Sequence, residues 1–421
     1  MTPTRTTPAS GLQTPLAEAL ARCVAPLGAA DFLDRHWERE PLFVERDEPG
    51  RFDDLLSEDD VHRLVTSGGL RHPAFRLVKA GARLSVRDYT TDISWRPTPF
   101  TGMGDVERIA ELFADGATIV LQGLHHHWHP LAVFSRRLEG ELGHPVQVNA
   151  YYTPRRSQGL AVHHDTHDVF VLQVAGEKRW LVYEPAWELP LKNQRYDAEM
   201  GGPGDVVHDV SLRAGDTLYL PRGWMHEALT SDTDSLHLTV GINVYSWIDA
   251  FKAALAECES DVEFRRAPGP DGEGADELVE RLAERLSPAT VARRMRRKLV
   301  RTRRPIREGQ LHELRLLEGL TAESRLERRP TVLFDLRGTT LSFEGRDIHF
   351  PDRVAEELEY LATADEPFTA ADLPGSLDEP GRLVLFRRLV REGFLRFSPP
   401  HDGGAASPRS GGDAAARATS T

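Results

Sequence analysis

In the run GLAVHHDTHDVFVLQVAGEKRWLVYEP, His163 and Asp165 stand with one residue between them. Side chains alternate along an extended chain, so both point to one face. An imidazole and a carboxylate placed side by side can hold one metal ion. Well downstream, after the turn signals of LRAGD and YLPRGWMHE, comes His226. Brought close, it would complete a two-histidine, one-carboxylate set that leaves adjacent coordination positions open, the arrangement of non-haem Fe(II) oxygenases. By itself His-x-Asp is a common surface pair. The β-like flanks, and the turn feeding a strand that ends in His226, favour the ligand reading. Lys178 follows the strand-like DVFVLQV and the AGE expected to turn the chain. If it starts an antiparallel neighbour strand, its ammonium enters the same cavity. A buried ammonium needs an anion, and the far carboxylate of 2-oxoglutarate fits.

Several elements must position these groups. Helical spacing is expected over Leu16–Leu27 and Ala29–His36, and from Glu58 to Leu64 behind Ser57 as N-cap. From about Ala74 the texture changes to short Val-, Ile-, Leu- and Tyr-rich runs punctuated by Gly, Pro and Asp. FRLVKAG, RLSVRDY, ATIVLQG, PVQVNAYYT, DVFVLQV, KRWLVYE, DVSLRAGDTLYLP and LHLTVGINVY read as strands. They predict a β-sandwich or barrel-like core over about 75–247. Helices follow in WIDAFKAALAECESDV, DELVERLAERLS and ATVARRMRRKLV. Strand-like TVLFDL and TTLSFEG, two helices and a last strand FLRF then resemble a winged helix.

The whole chain has 421 residues and a net charge of −13, with 28% charged and 40% hydrophobic residues. That composition excludes a globally disordered chain and weighs against a general nucleic-acid binder, which needs positive charge to displace phosphate counterions. Cys23 and Cys258 form no metal or redox motif and fit a reducing compartment. The N-terminus lacks the apolar stretch of a signal peptide, and no uncharged apolar run is long enough to span a membrane. A cytoplasmic protein with no membrane contact is expected.

Taken together, NAYYTPRRSQGLAVHHDTHDVFVLQVAGEKRWLVYEP, AGDTLYLPRGWMHEA and SLHLTVGIN resemble the JmjC ribosomal oxygenases of the cupin superfamily. The entry stretch FLDRHWEREPLFVERDEPGRFDDLLS and the order of parts are similar too, so the resemblance covers about 28–398. It implies a mainly β fold with α elements: a double-stranded β-helix core, a helical dimerisation region and a C-terminal winged helix. The corresponding boundaries are a disordered 1–13, an oxygenase domain over 14–247, a helical region over 248–328, a winged helix over 329–398 and a disordered tail over 399–421. It implies Fe(II), 2-oxoglutarate and O2 as requirements, and hydroxylation of a His or Arg side chain in a large-subunit ribosomal protein. By position His163, Asp165 and His226 match its iron ligands, and Lys178 its distal-carboxylate residue. Asn149 matches an asparagine of the co-substrate pocket, and Ser157 a serine at the pocket mouth. A homodimer is implied as well. THD ending at Asp168, and the lead-in RRSQGLAVH, depart from the family pattern where a substrate side chain would approach. They put the substrate in doubt, not the iron chemistry.

Other groups carry blander readings. His164 points to the opposite face and reads as structural. His167 and Asp168 read as rim or outer groups. His125, His126, His127 and His129 read as a solvated turn, and His237 as an interior strand residue. Thr239 is a candidate for touching the co-substrate, and Phe170 for the apolar cavity wall. Trp37, Trp180 and Trp224 read as core or pocket wall. The basic run from Arg293 to Arg307 is either a solvated helix face or a contact for ribosomal RNA or an acidic partner. The winged helix carries more acid than base, which argues against DNA. Competing functions are the same chemistry on a peptide natural product or another protein, and a non-catalytic winged-helix regulator.

Overall fold

The computed structural model describes residues 18–399 apart from 95, 198, 200 and 201. The loose segment expected over 1–13, and the tail expected from 399 on except its first residue, lie outside the described residues.

Two short helices, α1 (Ala19–Val24) and α2 (Ala29–Arg35), lead to strand β1 (Leu42–Val44) and helix α3 (Glu58–Thr66). Ser57 caps α3 in a reciprocal box with Asp60, which satisfies two otherwise orphaned donors. Strands β2 (Phe75–Val78), β3 (Thr90–Ile93) and β4 (Phe100–Gly104) follow, then helix α4 (Val106–Ala114), β5 (Thr118–Leu121), helix α5 (His129–Leu142) and β6 (Val146–Thr153). RLSVRDY, expected as a strand, contains a 3-10 turn over Val86–Asp88 instead. Ser85 and Asp88 close a capping box there, and such local side-chain bonds draw the backbone away from a sheet ladder.

The site is built on four further strands: β7 (Asp168–Pro185), β8 (Val206–Arg213), β9 (Thr217–Leu220) and β10 (Trp224–Ile242). They complete an eight-stranded sheet of order β1-β9-β7-β10-β6-β5-β2, with β8 also paired to β7, and every pairing is antiparallel. AGE does not turn the chain into a second strand. β7 runs on through it and bends at Gly176, and β10 shifts register opposite, between Thr230 and Ser235. Gly176 has φ +66°, and a Cβ there would lie 1.7 Å from the Asp234 carbonyl oxygen, so the close approach requires glycine. Lys178 therefore lies beyond a bend of the same strand that begins at Asp168.

Alternation along β7 separates two apolar sets. Phe170 and Leu172 join Phe32, Phe75, Tyr219, Val240 and Ile242 in the main core, while Val169, Val171, Trp180 and Val182 pack with Leu212, Leu218 and Leu220. Phe170 stands 5.4 Å from the Phe32 ring and 5.1 Å from that of Tyr219. It is thus a core residue and not the cavity wall expected of it; its neighbours Val169 and Val171 take that place. Each such buried side chain contributes roughly 1.5–3 kcal/mol.

After β10 come helices α6 (Trp247–Cys258), α7 (Ala275–Glu284), α8 (Pro288–Thr302) and α9 (Gln310–Leu316), then strand β11 (Leu326–Arg328). A three-stranded meander β12 (Phe334–Arg337), β13 (Thr340–Phe343) and β14 (Arg346–His349) follows. Helices α10 (Ala355–Thr363) and α11 (Glu379–Glu392) and strand β15 (Leu395–Phe397) end the described chain. Residues up to Ile306, with Pro330–Ala355, form one compact unit, and Arg307–Arg329 with the chain from Glu356 form another. The boundary expected at 329 cuts across both. The meander belongs to the first unit, where Arg296 donates to the Phe334 carbonyl at 2.9 Å. In the second unit β11 pairs with β15, and Arg328 bonds the carbonyls of Leu361 and Ala362 at the end of α10.

Candidate metal and co-substrate site

His163, Asp165 and His226 each offer a ligand atom within 4.8 Å of the other two. Among the described residues this is the one such grouping of three. His163 meets His226 as an isolated bridge, N–H to carbonyl in both directions at 3.1 and 2.9 Å, and their rings are 4.6 Å apart. The Gly223 N–H holds the Asp165 carbonyl at 3.0 Å. The Nδ1 of His163 lies 2.8 Å from the Ala161 carbonyl, and that of His226 lies 3.0 Å from the Trp224 carbonyl. A carbonyl can only accept, so both Nδ1 atoms carry the proton and both Nε2 lone pairs are free for a metal. Asp165 Oδ2 is 3.8 Å from His226 Nε2. Burial pushes His226 down to about 4, so it is neutral at pH 7, as a ligand must be. Burial opposes ionisation of Asp165, but His167, His226 and His163 outweigh it and hold the carboxyl below its usual range. The donor set fits a divalent ion that takes nitrogen and oxygen together.

The three ligands open into a cavity of about 190 Å³, also lined by Asn149, Tyr151, Trp180, His237 and Thr239. Lys178 lines its far end. Along β10, His226 faces Val182, Ala228 faces Trp180 and Thr230 faces Lys178, so one inward row runs from the ligands to the lysine. Lys178 is 4% exposed and donates to the Thr153 hydroxyl at 3.0 Å. No carboxylate among the described residues pairs with it, and burial lowers it to about 7. A buried ammonium answered only by a hydroxyl fits an incoming carboxylate. Asn149 accepts from the Gly123 N–H at 2.9 Å and faces Thr239 across β6 and β10.

Ser157 is not brought to this cavity. Its backbone is pinned along Thr230, and its hydroxyl donates to the Arg155 carbonyl at 3.1 Å. His164 is buried with Nε2 3.2 Å from the Gln194 carbonyl, while His167 lines the cavity. Asp168 is not a rim group. It is fully buried and accepts from Tyr219 Oη at 2.8 Å, the Arg222 N–H at 3.1 Å and the Arg222 guanidinium at 3.2 Å. Arg222 also pairs with Glu38. In the 125–129 run His126, His127 and His129 are exposed, and His125 accepts from the Val148 N–H at 3.0 Å. Tyr151 escaped the sequence reading, although the period of two from Asn149 in NAYYT would have found it. Four members of the basic run are answered by acids of the same unit: Arg294 by Glu257, Lys298 by Asp249, Arg301 by Asp347 and Arg303 by Glu139. No helix among the described residues is long and apolar enough to cross a membrane.

Residues 123–249 match the JmjC domain. The chain is 32% identical to ribosomal oxygenase 1 of Gallus gallus over 263 residues, which cover 59% of this chain and 42% of that protein. It is 31% identical to the bifunctional lysine-specific demethylase and histidyl-hydroxylase NO66 of Drosophila persimilis over 222 residues, 52% of this chain and 31% of that protein. It thus spans less than half the length of these curated relatives. Among solved structures, Escherichia coli ycfD matches with a TM-score of 0.58 and 19% identity, over 88% of this chain and 98% of that one. The structure of the same ribosomal oxygenase with cobalt and 2-oxoglutarate matches with a TM-score of 0.54 and 20% identity, over 89% and 99%. The fold of the ligand-bearing sheet and the matched domain agree: residues 123–249 form a JmjC domain, and ribosomal oxygenases are among the chain's homologues.

Proposed function

We propose that the protein is an Fe(II)- and 2-oxoglutarate-dependent dioxygenase that hydroxylates a His or Arg side chain of a large-subunit ribosomal protein. The observation that carries this reading is the sharing of one cavity by a His2Asp ligand face with fixed tautomers and a buried lysine that lacks an acidic partner among the described residues. His163, Asp165 and His226 would hold the iron, Lys178 the far carboxylate of 2-oxoglutarate, and Asn149 the wall beside it. When bound, iron, 2-oxoglutarate and O2 supply the oxidation of a C–H bond, with succinate and CO2 released. The chain's own residues orient and exclude. The Ala161 and Trp224 carbonyls fix the two imidazoles, and Val169, Val171 and Trp180 keep the cavity wall apolar. The relatives' names favour a ribosomal substrate.

The test is succinate formation by anaerobically purified protein given Fe(II), 2-oxoglutarate, O2 and a ribosomal-protein mixture, with mass spectrometry for one added oxygen. Succinate without a modified ribosomal protein would keep the oxygenase and remove the substrate. Lys178→Ala is expected to weaken 2-oxoglutarate binding on the order of 100-fold, because the buried carboxylate loses its cation. Calorimetry reads this, and unchanged affinity would reject the clamp. Since burial lowers Lys178 to about 7, the free lysine is partly neutral at physiological pH. Affinity for 2-oxoglutarate in the wild type then falls as pH rises above 7.

The proposal extends to a cytoplasmic homodimer. Trp247, Ile248, Phe251 and Leu255 expose one apolar face of α6, with Trp247 67% exposed. A second copy would cover it, and light scattering at micromolar concentration reads the outcome. The proposal also includes the winged helix expected over 329–398 and an RNA contact through Arg293–Arg307, which would compete with the acids that answer Arg294, Lys298, Arg301 and Arg303.

A further inference from the structure

We infer that His237 is a second anchor for the far carboxylate of the co-substrate, closing with Lys178 a two-donor floor to the cavity; the inference rests on the 2-oxoglutarate reading of the site.

His237 lies on β10, is 3% exposed and lines the cavity. No hydrogen bond from the described residues reaches its ring, and its Nδ1 is enclosed without a partner. An unpartnered polar group in so buried a place costs free energy. The ring is not free to turn and find one. It lies flat against Tyr151, with centroids 5.0 Å apart and planes 1° apart, and meets Trp180 edge-on at 5.5 Å and 81°. Nδ1 is sealed from the cavity as well, so the polar atom of this ring that an occupant can meet is Nε2.

The position of His237 decides which end of that occupant it meets. The lysine end of the inward row is Thr230, paired with Lys178, and the metal end is His226. Four residues of strand separate these, about 13 Å at the usual rise. Tyr151, on which His237 lies, is two residues from Thr153 on β6, and Thr153 is the residue that takes the Lys178 ammonium, so His237 stands toward the lysine end. Burial and that ammonium both press the imidazole toward its neutral form, which offers one N–H. The hydroxyl floor is already committed: Thr153 accepts from Lys178 and stands 3.1 Å from the Thr118 hydroxyl. A carboxylate has two oxygens. One meets the lysine, and His237 is placed to donate to the other.

The test uses the full chain loaded with Zn(II) and two probes, 2-oxoglutarate and 2-oxobutyrate, which keeps the keto-acid end and lacks the far carboxylate. Calorimetry on His237→Phe, which keeps an aromatic ring on Tyr151, is expected to show 2-oxoglutarate weakened about 10- to 100-fold while 2-oxobutyrate is unaffected. His237→Gln, which restores a donor, recovers part of the loss. His237→Leu gives the same comparison should the phenylalanine not be accommodated. Unchanged 2-oxoglutarate affinity, or equal loss for both acids, would overturn the assignment and leave His237 a packing residue. A wild type that binds neither acid would remove the 2-oxoglutarate reading, and this inference with it. Weakening by Lys178→Ala without weakening by His237→Phe would remove the inference alone.

Discussion

Asp165→Ala is expected to abolish binding of a divalent ion by the chain. The carboxylate supplies the one negative charge of the ligand set, and burial keeps the His226 imidazole neutral. The loss should far exceed the roughly 10- to 100-fold that follows when a ligand loses only its outer hydrogen-bond partner. Thermal unfolding separates this from a damaged fold. An ion that binds the native state alone stabilises it by about 2.7 kcal/mol at a concentration 100 times its Kd. The wild type should gain that increment with Co(II) or Zn(II), while Asp165→Ala and the double variant His163→Ala, Asp165→Ala should gain none. Metal stabilisation of the double variant equal to the wild type's would show that these residues are not the ligands.

The second large effect concerns stability. Arg222→Met should destabilise the fold by about 3–5 kcal/mol, because it leaves Asp168 fully buried without its guanidinium. Against a usual total of about 5–15 kcal/mol, that is a large fraction. Tyr219 and the backbone N–H of residue 222 still donate to the carboxylate, but neither carries charge. The pH dependence gives an independent check. Burial raises Asp168 above the ordinary carboxyl range even with Arg222 present, and loss of the arginine raises it further. A raised folded value means that the native state binds the proton more readily than the unfolded chain does. The deficit of Arg222→Met relative to wild type therefore shrinks as pH falls through the raised value and the carboxyl becomes neutral. Urea unfolding at pH 7 and pH 5 reads this. A deficit that grew toward acid would contradict the assignment of the buried charge. The same change should loosen the ligand segment, since the next residue, Gly223, holds the Asp165 carbonyl.

Much of this was legible in residue types and spacing. His163 and Asp165 do come together with His226, but on a stretch outside the regular strands, and His226, expected at the end of the strand fed by the LRAGD turn, is instead the third residue of β10, after β9 has ended at Leu220. The apolar runs TIVL and VQVNAYYT became β5 and β6. What alternation does not encode is where parity changes. Val169 and Val171 face the cavity from odd positions of β7, and Lys178 and Trp180 from even ones. The bend at Gly176 lies between them, so Lys178 arrived in the cavity by a route other than the expected hairpin. The same parity sent Phe170 to the core. Ser157 depended on position within a matched motif, and its hydroxyl turns back to its own segment. TVLFDL and TTLSFEG did become the meander strands β12 and β13, but their place in the first unit lay beyond local pattern, because which unit a strand joins is decided by long-range packing.

His163 and Asp165 sit on a stretch outside the regular strands, while His226 belongs to a long central strand paired on β7. A few backbone bonds tie that stretch down: the His163–His226 pair, Gly223 to Asp165, and Ser157 with Thr230. Stretches held this way open at lower free energy than core strands. A bound ion would then act as a clasp between a movable jaw and a fixed one. Its escape would be timed by the lifting of the jaw rather than by exchange at a rigid cage, and amide hydrogen exchange over 157–167 should slow in step with metal retention.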